Sequence, residues 1–245
     1  FYNGKPQTIS GFEQTEFTIN GKIYTVSGLS ASVNGTDANT YTNAVTGTAV
    51  VTDAAGNDVT NQFTVNTQDG TLTIKPIEIT LTSASDQKQY DGTPLTNDTV
   101  TITAGAFVDG EGYTANVTGS QTLVGSSDNT FTYTLNGGTK AKNYDIKQSF
   151  GKLEVIDRTE KYKITVVANS DTVTYDGAEH SVSGFETTVF TVDGNTYTVS
   201  GLTASVKGTN AKEYTNKVIG TAVVKDANGN DVTGQFTVTT EDGSL

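Results

Sequence analysis

The sequence predicts an all-β protein that consists of three tandem small β-sandwich modules of immunoglobulin-like size in an elongated array. Apolar and polar residues alternate with a period of two, which is typical of half-buried strands. Turn residues recur roughly every 8 to 12 positions, and about seven short strands fit each module. One sequence pattern also occurs three times within the 245 residues. This repetition favours an array over a single merged domain.

The repeat is clearest between the two ends of the chain. Residues 1–72 align with residues 174–245 without a gap at a constant offset of 173, and 46 of the 72 positions are identical. The middle of the chain is a more distant copy, in which Tyr90 lies 88 residues after Tyr2 and 85 before Tyr175. The chain therefore repeats with a period of about 86 residues.

This period predicts a first segment at residues 1–76, a divergent middle segment at 77–158 and a third segment at 159–245 that nearly duplicates the first. An apolar strand, IEITLT or YKITVV, precedes the Tyr-Asp-Gly turn of the middle and third segments. This leading strand is missing from the first segment, and the closing strand is missing from the third. We therefore expect a slice of a longer array. If each module instead begins at its Tyr-Asp-Gly turn, the leading strands belong to the preceding module.

Two Asn/Asp-Gly pairs mark the best hairpins. Asp193-Gly194 interrupts the alternating stretch Phe190–Leu202, and Asn20-Gly21 holds the same place in the first segment. Such pairs tolerate the positive φ that two-residue hairpins require. Val223–Val238 is predicted as strand, loop and strand. The best helix candidate, Asn210–Val218, is short and rich in Thr and Asn, so the alternative architecture is a β-grasp-like module with one short helix.

The recurring Tyr-Asp/Asn-Gly is interpreted as a turn at the end of a strand. Its glycines, Gly4, Gly92 and Gly177, occupy positions where the backbone is expected to need positive φ. The tyrosine ring is expected to pack on the sheet, with its hydroxyl bonded to a backbone group. A catalytic motif is normally present once, whereas a structural unit can be copied, so three copies favour the structural interpretation.

Composition excludes several classes of function. The formal net charge is -12 and the 15 Lys and Arg residues are dispersed, which argues against nucleic acid or anionic lipid as the main partner. The chain has no cysteine, so it has no disulfide scaffold, thiol catalysis or cysteine-based zinc site. No run of about 18 apolar residues is present, so no membrane insertion is predicted.

Several motifs, in this order, resemble a family of bacterial repeats. They are Tyr-Asp-Gly near the start of a segment, GSQTLVGSSDNTFTY (Gly119–Tyr133), NYDI (Asn143–Ile146) and a terminal Gly-x-Leu-x-Val/Ile. Together they resemble the MBG-type, or YDG-type, repeats of large bacterial surface proteins, and GNDVTGQFTVTTEDGSL (Gly229–Leu245) resembles a sister version. The resemblance covers essentially the whole chain. It implies an exported, wall-anchored or secreted protein of a Gram-positive bacterium with an adhesin or stalk role, and it implies no catalytic residues.

Candidate catalytic groups are few. His180 is the single histidine, and Gln7 replaces it in the first segment, so a Ser-His-Asp arrangement is not expected. Acidic residues that recur in register could form carboxylate pairs, but most lie in Gly/Asn-rich turns, where Asp accepts hydrogen bonds from backbone amides. These recurring pairs are Glu13/Glu186, Asp53/Asp226, Asp58/Asp231 and Asp69/Asp242. The sequence therefore predicts no enzyme, and no catalytic, cofactor-binding or metal site.

The sequence also contains weak signals of calcium binding and of a covalent crosslink. The loop Asp226–Asp231 faintly resembles a calcium loop, but Asp231 stands where such a loop has glycine, and Ala55 replaces a ligand in the first segment. A hairpin loop is the preferred interpretation. A Lys–Asn isopeptide crosslink, for which Lys163 and Asn143 are the candidates, needs a buried site between neighbouring strands.

The predicted function is a non-catalytic tandem-repeat region of an exported surface protein that acts as a stalk or spacer, with a possible part in adhesion. The alternatives are a module that binds glycan or a host protein, and an accessory region of a secreted carbohydrate-active enzyme. The expected partners are the neighbouring repeats of the same chain, in a monomer located outside the cell.

Overall fold

The computed structural model describes residues 1–245, and it confirms the all-β prediction. Strands hold 55% of the residues and helices 4%. The only helices are 3₁₀ turns of three residues each, so the β-grasp-like alternative, which needs a helix over its sheet, is not favoured. None of these helices is long or apolar enough to span a membrane. The three turns are Thr60–Gln62, Ala141–Asn143 and Thr233–Gln235.

The first segment contains six antiparallel strands in two small sheets. The long strand β3 pairs with β1, β2 and β5, and β4 pairs with β6. The six strands are β1 Gln7–Ser10, β2 Glu16–Ile19, β3 Lys22–Gly35, β4 Asn39–Asn43, β5 Val45–Asp53 and β6 Gly70–Ile74.

The middle segment contains eight strands and mixes parallel with antiparallel pairs. β7 lies between β13, which is parallel to it, and β9, while β14 lies between parallel β8 and antiparallel β11. β10 pairs with β12. These strands are β7 Ile77–Ser83, β8 Asp86–Gln89, β9 Val100–Ala104, β10 Tyr113–Val117, β11 Gly125–Asp128, β12 Phe131–Leu135, β13 Tyr144–Ser149 and β14 Lys152–Ile156.

The third segment repeats the sheets of the first and adds the leading strand β15, which runs parallel to β21. β18 pairs with β16, β17 and β20, and β19 pairs with β22. The strands are β15 Tyr162–Val167, β16 His180–Ser183, β17 Val189–Val192, β18 Asn195–Gly208, β19 Thr215–Asn216, β20 Val218–Asp226, β21 Phe236–Glu241 and β22 Gly243–Ser244.

All sheet pairings join strands of the same segment, but spatial contacts divide the chain into two compact units. Unit 1 comprises residues 1–83, 100–116 and 132–149, and unit 2 comprises 84–99, 117–131 and 150–245. Each unit therefore combines a terminal segment with part of the middle one. The main core of unit 2 consists of Tyr90, Leu95, Leu153, Val155, Ile164, Val166, Tyr197, Val199, Val224, Val232 and Phe236.

Local chain reversals follow the sequence closely. Asn20 and Gly21 have φ of 50° and 75°, and Asp193 and Gly194 have 47° and 80°. These two-residue turns connect β2 to β3 and β17 to β18, as predicted. The helix candidate Asn210–Val218 is wrong: its later residues belong to strands β19 and β20. Asn and Thr have weak helix propensity, and strand pairing determines the structure there.

Candidate functional site

The sequence-predicted chemical groups do not assemble into a catalytic site. The Nε2 atom of His180 lies 2.9 Å from Oδ1 of Asp176, four residues earlier, and both side chains border a surface turn. Glu13 and Glu186 are exposed. No group of three or more His, Asp or Glu side chains is arranged to hold a metal ion.

The recurring aspartates bind backbone amides, as the sequence predicts. Oδ1 of Asp226 accepts hydrogen bonds from the backbone N–H groups of Asn228 and Asn230, at 2.9 and 2.8 Å, so the calcium-like loop is a closed turn. Asp53 has the equivalent contacts, and the hydrogen bond from the Asn57 side chain lowers its pKa. The same capping holds for Asp58 with Thr60, Asp231 with Thr233, Asp69 with Val45 and Asp242 with Val218.

The isopeptide candidates have other roles. Lys163 is exposed on β15, whereas such a crosslink needs a buried lysine. Asn143 is buried in unit 1, and its side-chain amide is already hydrogen-bonded. Its Oδ1 accepts from the backbone N–H of Ala38 at 2.7 Å, and its Nδ2 donates to Oδ1 of Asp37 at 3.1 Å. Asn143 therefore joins the middle segment to the first.

Within unit 1, the tyrosine of the first Tyr-Asn-Gly turn packs into the middle segment. Tyr2 is 6% exposed, its hydroxyl donates to the Glu111 carboxylate, and its ring lies edge-on to Tyr144 with the centroids 5.7 Å apart. The hydrogen bond to Glu111 raises the pKa of Tyr2, and burial raises the pKa of Tyr144 to about 12. The prediction that this hydroxyl bonds to a backbone group is therefore wrong, because it donates to a carboxylate of the next segment.

Charge reinforces this first junction. Lys140 and Lys142 place their Nζ atoms 2.8 and 2.9 Å from Oδ2 of Asp37. Hydrogen bonds from Lys140, Asn143 and Lys142 hold the pKa of the Asp37 carboxyl far below its ordinary value. Asp37 therefore stays ionised at all but very acidic pH.

Within unit 2, the tyrosine of the second turn packs into the third segment in the same way. Tyr90 is 1% exposed, and its hydroxyl lies 3.5 Å from the hydroxyl of Tyr197. Burial raises the pKa of Tyr90 well above its ordinary value. The next residues of the turn contribute too, because Nδ2 of Asn195 donates to the backbone carbonyl of Asp91 at 3.1 Å. Gly92 fits here because a Cβ atom would lie 2.5 Å from the Tyr197 hydroxyl.

Arg158 connects the groups of this second junction. Its Nη1 donates to the backbone carbonyl of Tyr90 at 2.9 Å, and its guanidinium lies 3.8 Å from the centre of the Tyr162 ring. Its backbone N–H donates to Oε1 of Gln235 at 2.9 Å, while Nε2 of Gln235 donates to Asp157 at 2.6 Å. Burial, followed by the hydrogen bond to Asp193, raises the pKa of Tyr162 to about 12.

The two junctions use equivalent parts of the segments. A Tyr-Asp/Asn-Gly tyrosine from one segment is buried in the next, and the last residue of a 3₁₀ turn, Asn143 or Gln235, bonds back to the preceding segment. Sequence reasoning missed this function of the motif. The recurrence of an amide side chain just before the aromatic residues Tyr144 and Phe236 was the available signal.

Each terminal segment also presents a surface that has no such neighbour. Tyr175, the third tyrosine of the series, is 61% exposed and borders a cavity of about 290 Å³ with His180 and Tyr214. The first segment has a wider groove of about 920 Å³ between Gly11–Thr15 and Val65–Thr71.

Comparison with known proteins adds no relative: no model of a protein family matches the chain, and no curated protein matches it.

Proposed function

We propose that this chain is a non-catalytic tandem-repeat region that acts as a stalk or spacer in an exported bacterial surface protein. One observation carries the proposal: the tyrosine of a Tyr-Asp/Asn-Gly turn is buried in the following segment in both units. A turn that is used to connect segments explains why the motif is repeated. In arrays of this kind each repeat contacts its neighbours, so length grows with copy number.

The junctions have the properties of stiff connections. Tyr90 belongs to the same buried cluster as Tyr197 and Phe236, so the middle and third segments share a core within unit 2. Arg158 adds hydrogen bonds and an aromatic contact at the same place. A shared core resists bending because bending exposes apolar surface to water. A spacer needs this resistance to hold another domain away from the cell.

The absence of cysteine allows a direct test of stiffness. Exposed Ser126 and Thr209, which both lie in unit 2, would be changed to cysteine and spin-labelled, and the distribution of distances between the labels measured. The unaltered junction should give one narrow distribution. The double variant Tyr90→Ala with Arg158→Ala should broaden it, because both connections are lost. Tyr175→Ala, which removes an exposed copy of the same tyrosine, should leave it unchanged. A broad distribution before any substitution would refute the spacer role.

A second candidate function, glycan binding, is favoured by the exposed cavity at Tyr175. Tyr175 and Tyr214 both line it, and aromatic faces stack on sugars. A glycan array probed with the whole chain tests this function. Reproducible binding that is lost in Tyr175→Ala would establish a binding module, whereas an array without signal would leave the spacer as the single proposal. In both cases we propose a location outside the cell, either anchored to the wall or secreted.

A further inference from the structure

The groove of the first segment is an open channel, lined by both polar and apolar groups, between two backbone segments. Gly11–Thr15 forms one wall, Val65–Thr71 forms the other, and Val26 and Ala31 are part of the floor. Three large apolar side chains along it are exposed, Ile9 at 41%, Phe12 at 38% and Phe17 at 39%. The counterpart of Ile9 in the third segment, Val182, is buried. The groove therefore leaves apolar surface in water that the third segment covers.

In the third segment, the leading strand β15 covers this surface. It runs parallel to β21 over six residue pairs, from Tyr162–Phe236 to Val167–Glu241. Its side chains Ile164 and Val166 are buried, and so is Ala168, the residue after the strand. On its other side, the backbone N–H of Glu186, the counterpart of Glu13, donates to the carbonyl of Val167 at 3.0 Å. Both walls of the site therefore bind the strand through backbone groups.

A buried asparagine recognises the end of the leading strand. In the third segment, Nδ2 of Asn216 donates to the backbone carbonyl of Asn169 at 2.9 Å. In the middle segment, Nδ2 of Asn129 donates to the backbone carbonyl of Ala84, also at 2.9 Å. Ala84 holds the position after β7 that aligns with Asn169 after β15. The equivalent residue of the first segment is Asn43, which lies in the groove, is 4% exposed and makes no side-chain hydrogen bond. The Nδ2 atom of Asn43 is therefore available to donate to a carbonyl in the groove, as its equivalents do in the other two segments.

A glycine next to this asparagine leaves room for the strand. In the third segment, a Cβ atom on Gly243 would lie 2.2 Å from the carbonyl oxygen of Asn169. A Cβ atom on the equivalent Gly70 would contact only the Asn43 side chain, at 3.7 Å. The first segment therefore preserves the space that the backbone of a leading strand occupies elsewhere.

We propose that the groove of the first segment binds an extended peptide strand parallel to residues 63–68. The strand has the alternating apolar pattern of Ile77–Ala84 and Tyr162–Asn169, and its terminal carbonyl accepts a hydrogen bond from Nδ2 of Asn43. Main-chain hydrogen bonds to a sheet edge give such a complex its affinity, and pockets for alternate side chains give it specificity. The occupant is a free strand of this sequence and not a second folded copy, because both leading strands of the chain are already paired in their own segments.

A peptide with the sequence of residues 160–171 (EKYKITVVANSD) tests the proposal on the whole chain. Saturating peptide should slow amide hydrogen exchange in residues 64–68 by about tenfold or more, because these amides become part of a ladder. The same peptide with Lys in place of Ile164 and Val166 should have no effect, because these two side chains are buried in the third segment and a buried unpaired charge is costly.

Two variants of the chain sharpen the test. Gly70→Ala keeps the free groove intact, since its Cβ has an ordinary contact, but it should abolish binding because the methyl group occupies the place of the strand backbone. Asn43→Ala should weaken binding by about tenfold, the loss of one hydrogen bond from a buried amide. Ser32→Ala, on the exposed face of β3, should bind as the unaltered chain does.

Three results would overturn the proposal. The first is the absence of any slowed exchange at saturating peptide. The second is equal binding by Gly70→Ala, which would place the peptide outside the groove. The third is protection that appears in the third segment, where the added peptide would be replacing β15. Circular dichroism of each variant verifies that the sheets are retained.

Discussion

The first and third segments have nearly the same sequence, but different surfaces of them are buried. The first buries the tyrosine of its Tyr-Asn-Gly turn, and the third buries the last residue of its 3₁₀ turn. Tyr2 is buried and its counterpart Tyr175 is exposed, whereas Gln62 is exposed and its counterpart Gln235 is buried. The first segment is buried where a segment follows it, and the third where a segment precedes it. The difference shows that the end surfaces of this module are buried only by neighbouring segments, while the two Asn/Asp-Gly hairpins form in both copies from local sequence.

Secondary structure differs between the two copies for the same reason. The Phe-Thr-Val at residues 236–238 begins strand β21, which pairs with β15. The same three residues at 63–65 form no strand. Because a strand needs a hydrogen-bonding partner, an identical sequence is extended and paired in one copy and unpaired in the other. The same substitution made in both copies tests this difference directly.

Phe236→Ala should have the largest effect. Phe236 is buried, with ring centroids 4.7 Å from Tyr197 and 5.5 Å from Tyr162. Its loss should lower the free energy of unfolding of the third segment by about 3 to 5 kcal/mol. The same change at half-buried Phe63 should cost only about 1 kcal/mol. Native-state hydrogen exchange of β18 and β3 measures each segment separately, and equal losses would contradict the comparison.

Gly243→Ala should have the next largest effect on stability. Its methyl group would collide with the carbonyl oxygen of Asn169, so the third segment should lose about 3 kcal/mol as the leading strand shifts. Gly70→Ala should cost nothing measurable. The readout is the exchange rate of the amides of β15, compared with those of β6 in the second variant. A stable Gly243→Ala protein would show that β15 can move without cost.

Asn216→Ala should have a smaller effect. It removes the hydrogen bond to the carbonyl of Asn169 and leaves that carbonyl without its donor, at a cost of about 1 to 2 kcal/mol. Asn43→Ala should be close to neutral, because the Asn43 side chain has no hydrogen bond to lose. Urea titration followed by hydrogen exchange of β19 and β4 compares the two. A larger loss at Asn43 would mean that its amide has a partner.

The smallest effect is expected at high pH. The hydrogen bond to Glu111 raises the pKa of Tyr2 above the ordinary value of 10.0. Since the folded protein favours the neutral phenol, this contribution is complete below pH 10 and is lost as the pH rises through the raised pKa. Unit 1 should therefore become less stable in this range. Tyr2→Phe should remove this part of the pH dependence, and Tyr175→Phe should leave the profile unchanged, as monitored by hydrogen exchange of β13.

Much of the fold could be predicted from the sequence because local chemistry determines it. Asn20-Gly21 and Asp193-Gly194 predicted the two hairpins, and the alternation in IEITLT and YKITVV predicted strands β7 and β15. The capping aspartates were predicted on the same local grounds. In contrast, the weak pattern of Asn210–Val218 suggested a helix. The strand that pairs with Thr215–Asn216, β22, lies much later in the chain, so local sequence does not indicate this pairing.

The junctions could not be predicted because they depend on which surfaces meet. Nothing in the sequence near Tyr2 indicates that Glu111 binds its hydroxyl, 109 residues away. Nor does composition distinguish Asn43, Asn129 and Asn216 from the many surface asparagines, although all three are buried. Their equivalent positions in the repeat were the one available signal. Sequence identity revealed the module, but not the groups through which modules connect.

The parallel ladders of the middle segment have a mechanical consequence. The chain enters this segment along β7 and leaves it along β14, and β7 runs parallel to β13 as β14 runs parallel to β8. Tension on the two ends pulls the strands of each ladder in opposite directions along their length. The hydrogen bonds of the six residue pairs between β7 and β13 are then loaded together in shear. In a hairpin that is pulled at its open end, the hydrogen bonds break one pair after another. Rupture under tension therefore requires several hydrogen bonds to break at once.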